Sequence, residues 1–558
     1  MIRVDGNTVT VETKTLRAAF ADGRLASLKR ASDGREFLDG EGAKGCAPLA
    51  LYYPGTGAAA LTGNPDDAVT SRSLGDNAAE IRFEAWHGDG LLEITTDDAT
   101  GDVIVEPSGF ASRPGLQSCR WAIGGIADGL ELVAPFFQGV KLPLSDPLLS
   151  RSRWAWPHHW EAGFAILQGA DEGGGFWVHC EDDRYRFKAL HVDGVGRGLG
   201  FEVEPAGPID RNLAAGGLAW RLNVYDGDWK VPAGRYRDWL ESAYQPLRVK
   251  RPAWMEEVRF AISWCPCDEA LVDAVAKRIE PSKVLLHVPR WRTDPYDENY
   301  PTYVASAEGK RFVEHARSRG FRVMPHMNSV DMDPTHPVYA TVRDFQYRDV
   351  VTKRVQGWVW GRSGIREVPE SNAARLKHRD MKTMIKVHPG LATWRSILAE
   401  SVAGAVADLG VDAAFLDVTL CTWNTDNGTV QYQTTSEGMK RIIEKVATMG
   451  AGLAVGGEGR NEITMLPQTF GQVHLFNSHQ KSCEGLDRAG GTPVNEFLFG
   501  AWCCSFGYSN LGGATEDSAL RMDVHTSLGA VPTVTVRSAD EIEKPNPAVA
   551  KMLEMAGD

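Results

Sequence analysis

The sequence predicts an N-terminal β-sandwich followed by a C-terminal (β/α)8 TIM barrel, and three observations carry that reading. Apolar residues recur with a period of two up to about residue 245, a proline-bounded connector follows, and eight short apolar runs then alternate with helical patterns. The 558 residues, 43% hydrophobic and 24% charged, suffice for two large cores.

In the first half Val9 and Val11 alternate with Thr8 and Thr10, and Ile81 and Phe83 with Arg82 and Glu84. Tyr185, Phe187 and Ala189 alternate with Arg184, Arg186 and Lys188. Turn signals such as Ala-Asp-Gly-Arg and Ser-Asp-Gly-Arg separate the runs, the pattern of half-buried antiparallel sheets with few helical interruptions. From Pro232 a helix is expected, with Tyr236, Trp239, Leu240, Ala243 and Tyr244 on one face. The segment 245–252, Gln-Pro-Leu-Arg-Val-Lys-Arg-Pro, reads as the connector, so the expected domains are 1–245 and 246–558.

Beyond Trp254 the apolar runs are Val258–Trp264, Lys283–Val288, Arg322–Pro325, Ala413–Val418, Leu453–Val455, Val473–Phe476, Phe497–Cys503 and Val531–Val536. Their loss of alternation is what strands covered on both faces require. Leu391 to Leu409 predicts the clearest helix, with Trp394, Ile397, Leu398, Val402, Ala405, Val406 and Leu409 on one stripe and Gly410 as its C-terminal cap. The stretch from Asp331 to Val387 is too long for a simple loop and reads as an excursion over one end of the barrel.

Charge and composition narrow the partners. A net charge of -13 argues against nucleic acid and anionic membranes, which need clustered positive charge. The N-terminus runs directly into strand pattern and no apolar run is long enough to span a bilayer, so a cytoplasmic address is expected. The nine cysteines, among them Cys265, Cys267, Cys503 and Cys504, lie in apolar segments without disulfide or zinc spacing and read as reduced thiols. Seventeen tryptophans are compatible with a sugar-binding site, because a flat aromatic face suits the apolar face of a pyranose; most of them read as core.

The C-terminal ends of barrel strands face the active site, and this selects the candidate residues. Asp417 ends an apolar strand, where an ionised group needs a partner or a chemical task. Glu458 ends the next strand between glycines, where backbone and ligand can approach closely. Carboxyls on neighbouring strand ends match the pair used by retaining glycosidases. His287, Trp291, Asp297, His326, Asn328, Trp423, Arg460 and His479 are candidate substrate contacts, with Trp358 and Trp360 as further stacking platforms.

The Tyr-Asp-x-x-Tyr-Pro loop at 296–301, Met324-Pro-His-Met-Asn328, His388-Pro389 before Trp394-Arg395, Phe-Leu-Asp417 and Gly-Gly-Glu458 resemble a family of uncharacterised bacterial glycoside hydrolases. That family is similar to the endo-α-N-acetylgalactosaminidase and α-N-acetylgalactosaminidase group and, more distantly, to the α-amylase clan. The resemblance implies a galactose-mutarotase-like supersandwich before the barrel, an Asp nucleophile after strand four, a Glu acid/base after strand five, retention at an α-linkage, and no required cofactor. It does not extend to the α-amylase clan's third carboxylate, since Asn477-Ser-His479-Gln480 stands there, and no N-acetyl pocket signature is present.

Two other function classes stay open at this point. His326, Asp331, Asp333 and His336 mix nitrogen and oxygen donors in one loop, as a metal-dependent barrel hydrolase or sugar isomerase would, although no His-x-His or His-Glu-x-x-His accompanies them. A structural calcium is compatible with the many oxygen donors. The other class is a catalytically inactive carbohydrate-binding protein on the same scaffold. The expected partner throughout is a carbohydrate, and the oligomeric state, homo-oligomer included, is open.

Overall fold

A computed structural model gives the structure, which describes residues 1–558 apart from 56, 150, 151, 159, 170–172, 246–249, 361–366, 370–380, 450, 451, 475–491, 508–523 and 558. The chain divides into two compact units, Met1–Ala243 and Tyr244–Asp558.

The first unit is built of antiparallel sheets. Among the described residues four consecutive strands from Ile2–Asp5 to Arg24–Arg30 form one sheet, and two larger sheets have ten and six strands. Alternation is clean where one face is open: Ala79, Ile81 and Phe83 of Ala78–Ala85 are buried while Arg82 and Glu84 are exposed. The two larger sheets meet through Phe201 of Gly198–Glu204 and Trp220 of Trp220–Tyr225, whose ring centroids are 5.1 Å apart. Trp121, Trp156, Trp160, Trp177 and Trp220 are all fully buried here, so much of the tryptophan content is core. The helix Lys230–Tyr244 follows, with Tyr236 and Leu240 buried.

Among the described residues the second unit holds eight parallel strands in sequence order: Phe260–Ile262, Val284–Val288, Arg322–Asn328, Ala413–Asp417, Ala454–Glu458, Phe470–Val473, Cys504–Gly507 and Thr533–Val534. The last pairs with the first, and a parallel bridge between Phe506 and Val531 brings the sheet close to full closure. Ala261, Leu285, Met324, Ala413, Phe415, Ala454, Phe470 and Phe506 fill one core; Phe260, Ile262, Leu286, Ala414, Leu416 and Val455 pack into the other with the helices. The strands are therefore covered on both faces, which explains the continuous apolar runs. Helix Ala392–Leu409 is capped by Gly410 at φ 62°, a left-handed conformation that glycine adopts without steric cost.

Two strands differ from expectation. The sixth begins at Phe470, its polar Gly471 and Gln472 having masked it, and the seventh is Cys504–Gly507 rather than Phe497–Cys503. The apolar residues before Gly500 form the helix Val494–Phe499; a short buried helix and a buried strand are indistinguishable by periodicity. The Asp331–Val387 excursion contains a three-stranded antiparallel sheet with Lys382–Lys386 between Asp331–Met332 and Gly357–Trp360. Among the described residues no helix is long and apolar enough to cross a membrane, and Cys265, Cys267, Cys503 and Cys504 are free thiols.

Candidate active site

Strand parity sets what enters the barrel mouth. Ala413 and Phe415 point into the barrel core and Ala414 and Leu416 away from it, so Asp417, two residues beyond Phe415, falls on the inward side. The same count carries Ala454 through Gly456 to Glu458, Leu285 to His287, and Met324 to His326. Gly456 is required there: a Cβ would stand 2.5 Å from Met324 Sδ and 3.0 Å from the Phe415 ring. Leu416 is level with Gly457 across the strand pair, so Asp417 and Glu458 lie one residue further along neighbouring strands. Apolar residues thus fill the barrel below, and a layer of polar side chains closes its C-terminal end.

Asp417 is the centre of the larger group. His326 Nε2 lies 3.5 Å from its Oδ2, and the Tyr296 hydroxyl donates to the same oxygen at 3.4 Å. Burial alone would raise the Asp417 carboxyl; His326, the Val418 amide and Lys386 outweigh it and hold the group below the usual carboxylate range. Glu458, its side chain 15% exposed, meets His474 Nε2 at 2.9 Å through Oε1. Asp297 is buried in the left-handed conformation at φ 58°. Burial, then the Asp331 and Asp417 carboxylates, push it up to about 7 against a hydrogen bond from Trp360.

Not every expected contact reaches this group as a ligand-binding side chain. His287 is fully buried with both ring nitrogens engaged, Nε2 to His326 Nδ1 at 2.9 Å and Nδ1 to the Trp264 amide at 3.4 Å. Trp291 is core: its ring is fully buried and its indole donates to the His326 carbonyl at 3.0 Å. Asn328 holds the turn after its strand, Oδ1 accepting from the Val330 and Asp331 amides. Arg460 is turned away from Glu458, its guanidinium donating to Glu496 at 2.6 Å and to the Cys503 carbonyl. Trp423 is half-buried and donates to Gln356 at 2.6 Å. His479 lies outside the described residues.

Three residues enter that the sequence does not single out, Trp264, Lys386 and His474, and they join Tyr296 of the 296–301 loop. His474 directly follows its strand and Trp264 stands two residues past the end of its own, so the positional rule finds them once the strand ends are correct. Lys386 comes from the excursion, and its Nζ donates to Asp331 Oδ1 at 2.7 Å with both side chains buried. The candidate metal donors do not converge: Asp331 is held by Lys386, Asp333 accepts from the Asn299 amide, and His336 Nε2 faces the Thr302 hydroxyl. Among the described residues no group of three or more His, Cys, Asp or Glu could hold a metal ion.

A family model described as a domain of unknown function, DUF6259, matches residues 218–427. No curated protein matches the chain. Among solved structures, the α-N-acetylgalactosaminidase of Bifidobacterium bifidum, in a quadruple mutant, is similar at TM-score 0.68 and 12% identity over 98% of this chain and 92% of that one. Its complex with GalNAc gives TM-score 0.64 and 12% identity over 100% and 93%. An α-galactosidase from Geobacillus stearothermophilus in complex with raffinose gives TM-score 0.50 and 10% identity over 98% and 85%. These likenesses show that the chain has the fold of distantly related glycoside hydrolases.

Proposed function

We propose that this protein is a retaining, exo-acting α-glycosidase of small glycosides or oligosaccharides. The observation that carries the reading is the inward placement of Asp417 and Glu458 at the ends of adjacent barrel strands, in a chain whose whole length matches the fold of an α-N-acetylgalactosaminidase. Neighbouring strands are about 4.8 Å apart, and retaining glycosidases hold their carboxyls about 5–5.5 Å apart. In this reading the antiparallel first unit is the galactose-mutarotase-like supersandwich and Tyr244–Asp558 the catalytic barrel.

Asp417, kept ionised, attacks the anomeric carbon while Glu458 gives its proton to the departing glycosidic oxygen. The alcohol leaves and a glycosyl ester of Asp417 remains. Glu458, now a carboxylate, takes a proton from water as that water attacks the same carbon, and the Asp417 carboxylate is released. Two inversions leave the anomer retained, and no cofactor enters either step. His474 at 2.9 Å orients the Glu458 carboxyl. Below about pH 7 the Asp297 carboxyl is neutral and keeps a second negative charge away from Asp417.

An activated fluorinated α-glycoside tests the assignment, because it traps the nucleophile as an ester. Peptide mapping is expected to find the label on Asp417; a label elsewhere, with Asp417 untouched, contradicts the mechanism.

A further inference from the structure

The two buried histidines beneath Asp417 form a directional hydrogen-bond chain that starts from the backbone. A main-chain N–H can only donate, so the Trp264 amide, 3.4 Å from His287 Nδ1, makes that nitrogen the lone-pair one. Phe415 and Phe506 flank His287, with ring centroids 4.4 and 6.3 Å away, and the ring is fully buried. Burial holds it well below the usual histidine range, hence neutral. A neutral ring that accepts at Nδ1 carries its proton on Nε2, which faces His326 Nδ1 at 2.9 Å. His326 must therefore accept at Nδ1 and carry its own proton on Nε2. That nitrogen is buried without a full hydrogen bond among the described residues, and Asp417 Oδ2 stands 3.5 Å away.

We infer that His287 and His326 are positioning residues: the backbone-anchored His287 fixes His326 as the Nε2–H tautomer, which presents one N–H to Oδ2 of Asp417 and orients that carboxylate. The role for the carboxylate rests on the proposed function; the tautomer does not. The other groups facing Asp417 include the Tyr296, Tyr300 and Tyr303 hydroxyls, the Cys421 thiol, the Val418 amide, the Lys386 ammonium, and the Asp331 and Asp297 carboxyls. None of them supplies a donor locked to the backbone through a second ring.

The test is a pH titration of the full-length protein with 15N-labelled histidine, comparing wild type with His287→Phe, an apolar ring suited to the Phe415 and Phe506 environment. In wild type His326 is expected to show a pyrrole-type Nε2 and a pyridine-type Nδ1 across neutral pH, with an Nε2 shift that reports Asp417 ionisation. In His287→Phe the tautomers should mix and that step should move up by about one pH unit. Turnover should fall roughly 10–100-fold, the usual effect of removing a group that orients a working ligand. His326→Gln, whose amide can reach the Nε2 position, should recover much of the rate lost in His326→Phe. An Nδ1–H or doubly protonated His326 in the wild type overturns the inference, as does an unmoved Asp417 step in folded His287→Phe. If no glycoside is turned over yet the tautomer and its step are as described, the relay stands and the glycosidase reading falls.

Discussion

Lys386 Nζ and Asp331 Oδ1 lie 2.7 Å apart with both side chains 2% exposed, which makes them a buried ion pair beside Asp417. Burial works against the ammonium, and Asp331 outweighs it and holds Lys386 above its ordinary range. The pair also fastens the excursion strand Lys382–Lys386 to the loop after the third barrel strand.

Removing one member leaves the other enclosed without its counter-charge, and burial already raises the Asp331 carboxyl. Lys386→Met is expected to destabilise the protein by about 3–5 kcal/mol, read as a drop in the urea midpoint, whereas the double variant Lys386→Met, Asp331→Leu should recover part of the loss. A single variant as stable as wild type would contradict the pairing.

Arg460 gives the opposite contrast between stability and activity. Its fully buried guanidinium meets Glu496, which is 38% exposed. Arg460→Met should cost about 1–3 kcal/mol, the usual effect of losing hydrogen bonds to a charged group, while leaving KM within about twofold. A large rise in KM in a folded variant would restore Arg460 as a substrate contact.

Asp297 ties stability to pH. Its carboxyl stands at about 7 in the folded protein against 3.8 for an ordinary aspartate, so the native state binds the extra proton between those values. Its contribution is neutral at acid pH, becomes unfavourable as pH rises, and reaches its full cost above about 7. Asp297→Asn should therefore gain stability relative to wild type between pH 5 and pH 8, by a few kcal/mol at most. Chemical denaturation at the two pH values checks it, and an equal difference at both would show that Asp297 is already ionised at pH 5.

His474 and Glu458 make the last pair. His474→Leu removes the 2.9 Å contact to Oε1 and is expected to lower kcat roughly tenfold or more with little change in KM, since orientation of the proton donor matters in the transition state. Unchanged kcat would detach His474 from the Glu458 role.

The elements that decide the site were legible where hydrophobic runs end sharply. Phe415-Leu416-Asp417 and Val455-Gly456-Gly457-Glu458 locate both carboxyls because a buried strand cannot continue through a charge. The helix ending at Gly410 was legible from its stripe and cap. Side-chain partners were not: adjacency in sequence suggested Arg460 for Glu458, yet the chain turns after Gly459, at φ 80°, and sends Arg460 to Glu496. Trp291 and His287 have residue types that suit a sugar site, and only their enclosure shows them to be support. Lys386 is separated from Asp331 by 55 positions, and no local pattern announces such a contact.

The most direct test of the central claim is turnover of a panel of α- and β-linked aryl glycosides by wild type and Asp417→Asn, with the first-formed anomer read by proton NMR. The carboxylate pair predicts cleavage of an α-glycoside with retention and a loss of several orders of magnitude in the variant. Inversion, or near-normal turnover by folded Asp417→Asn, would contradict it.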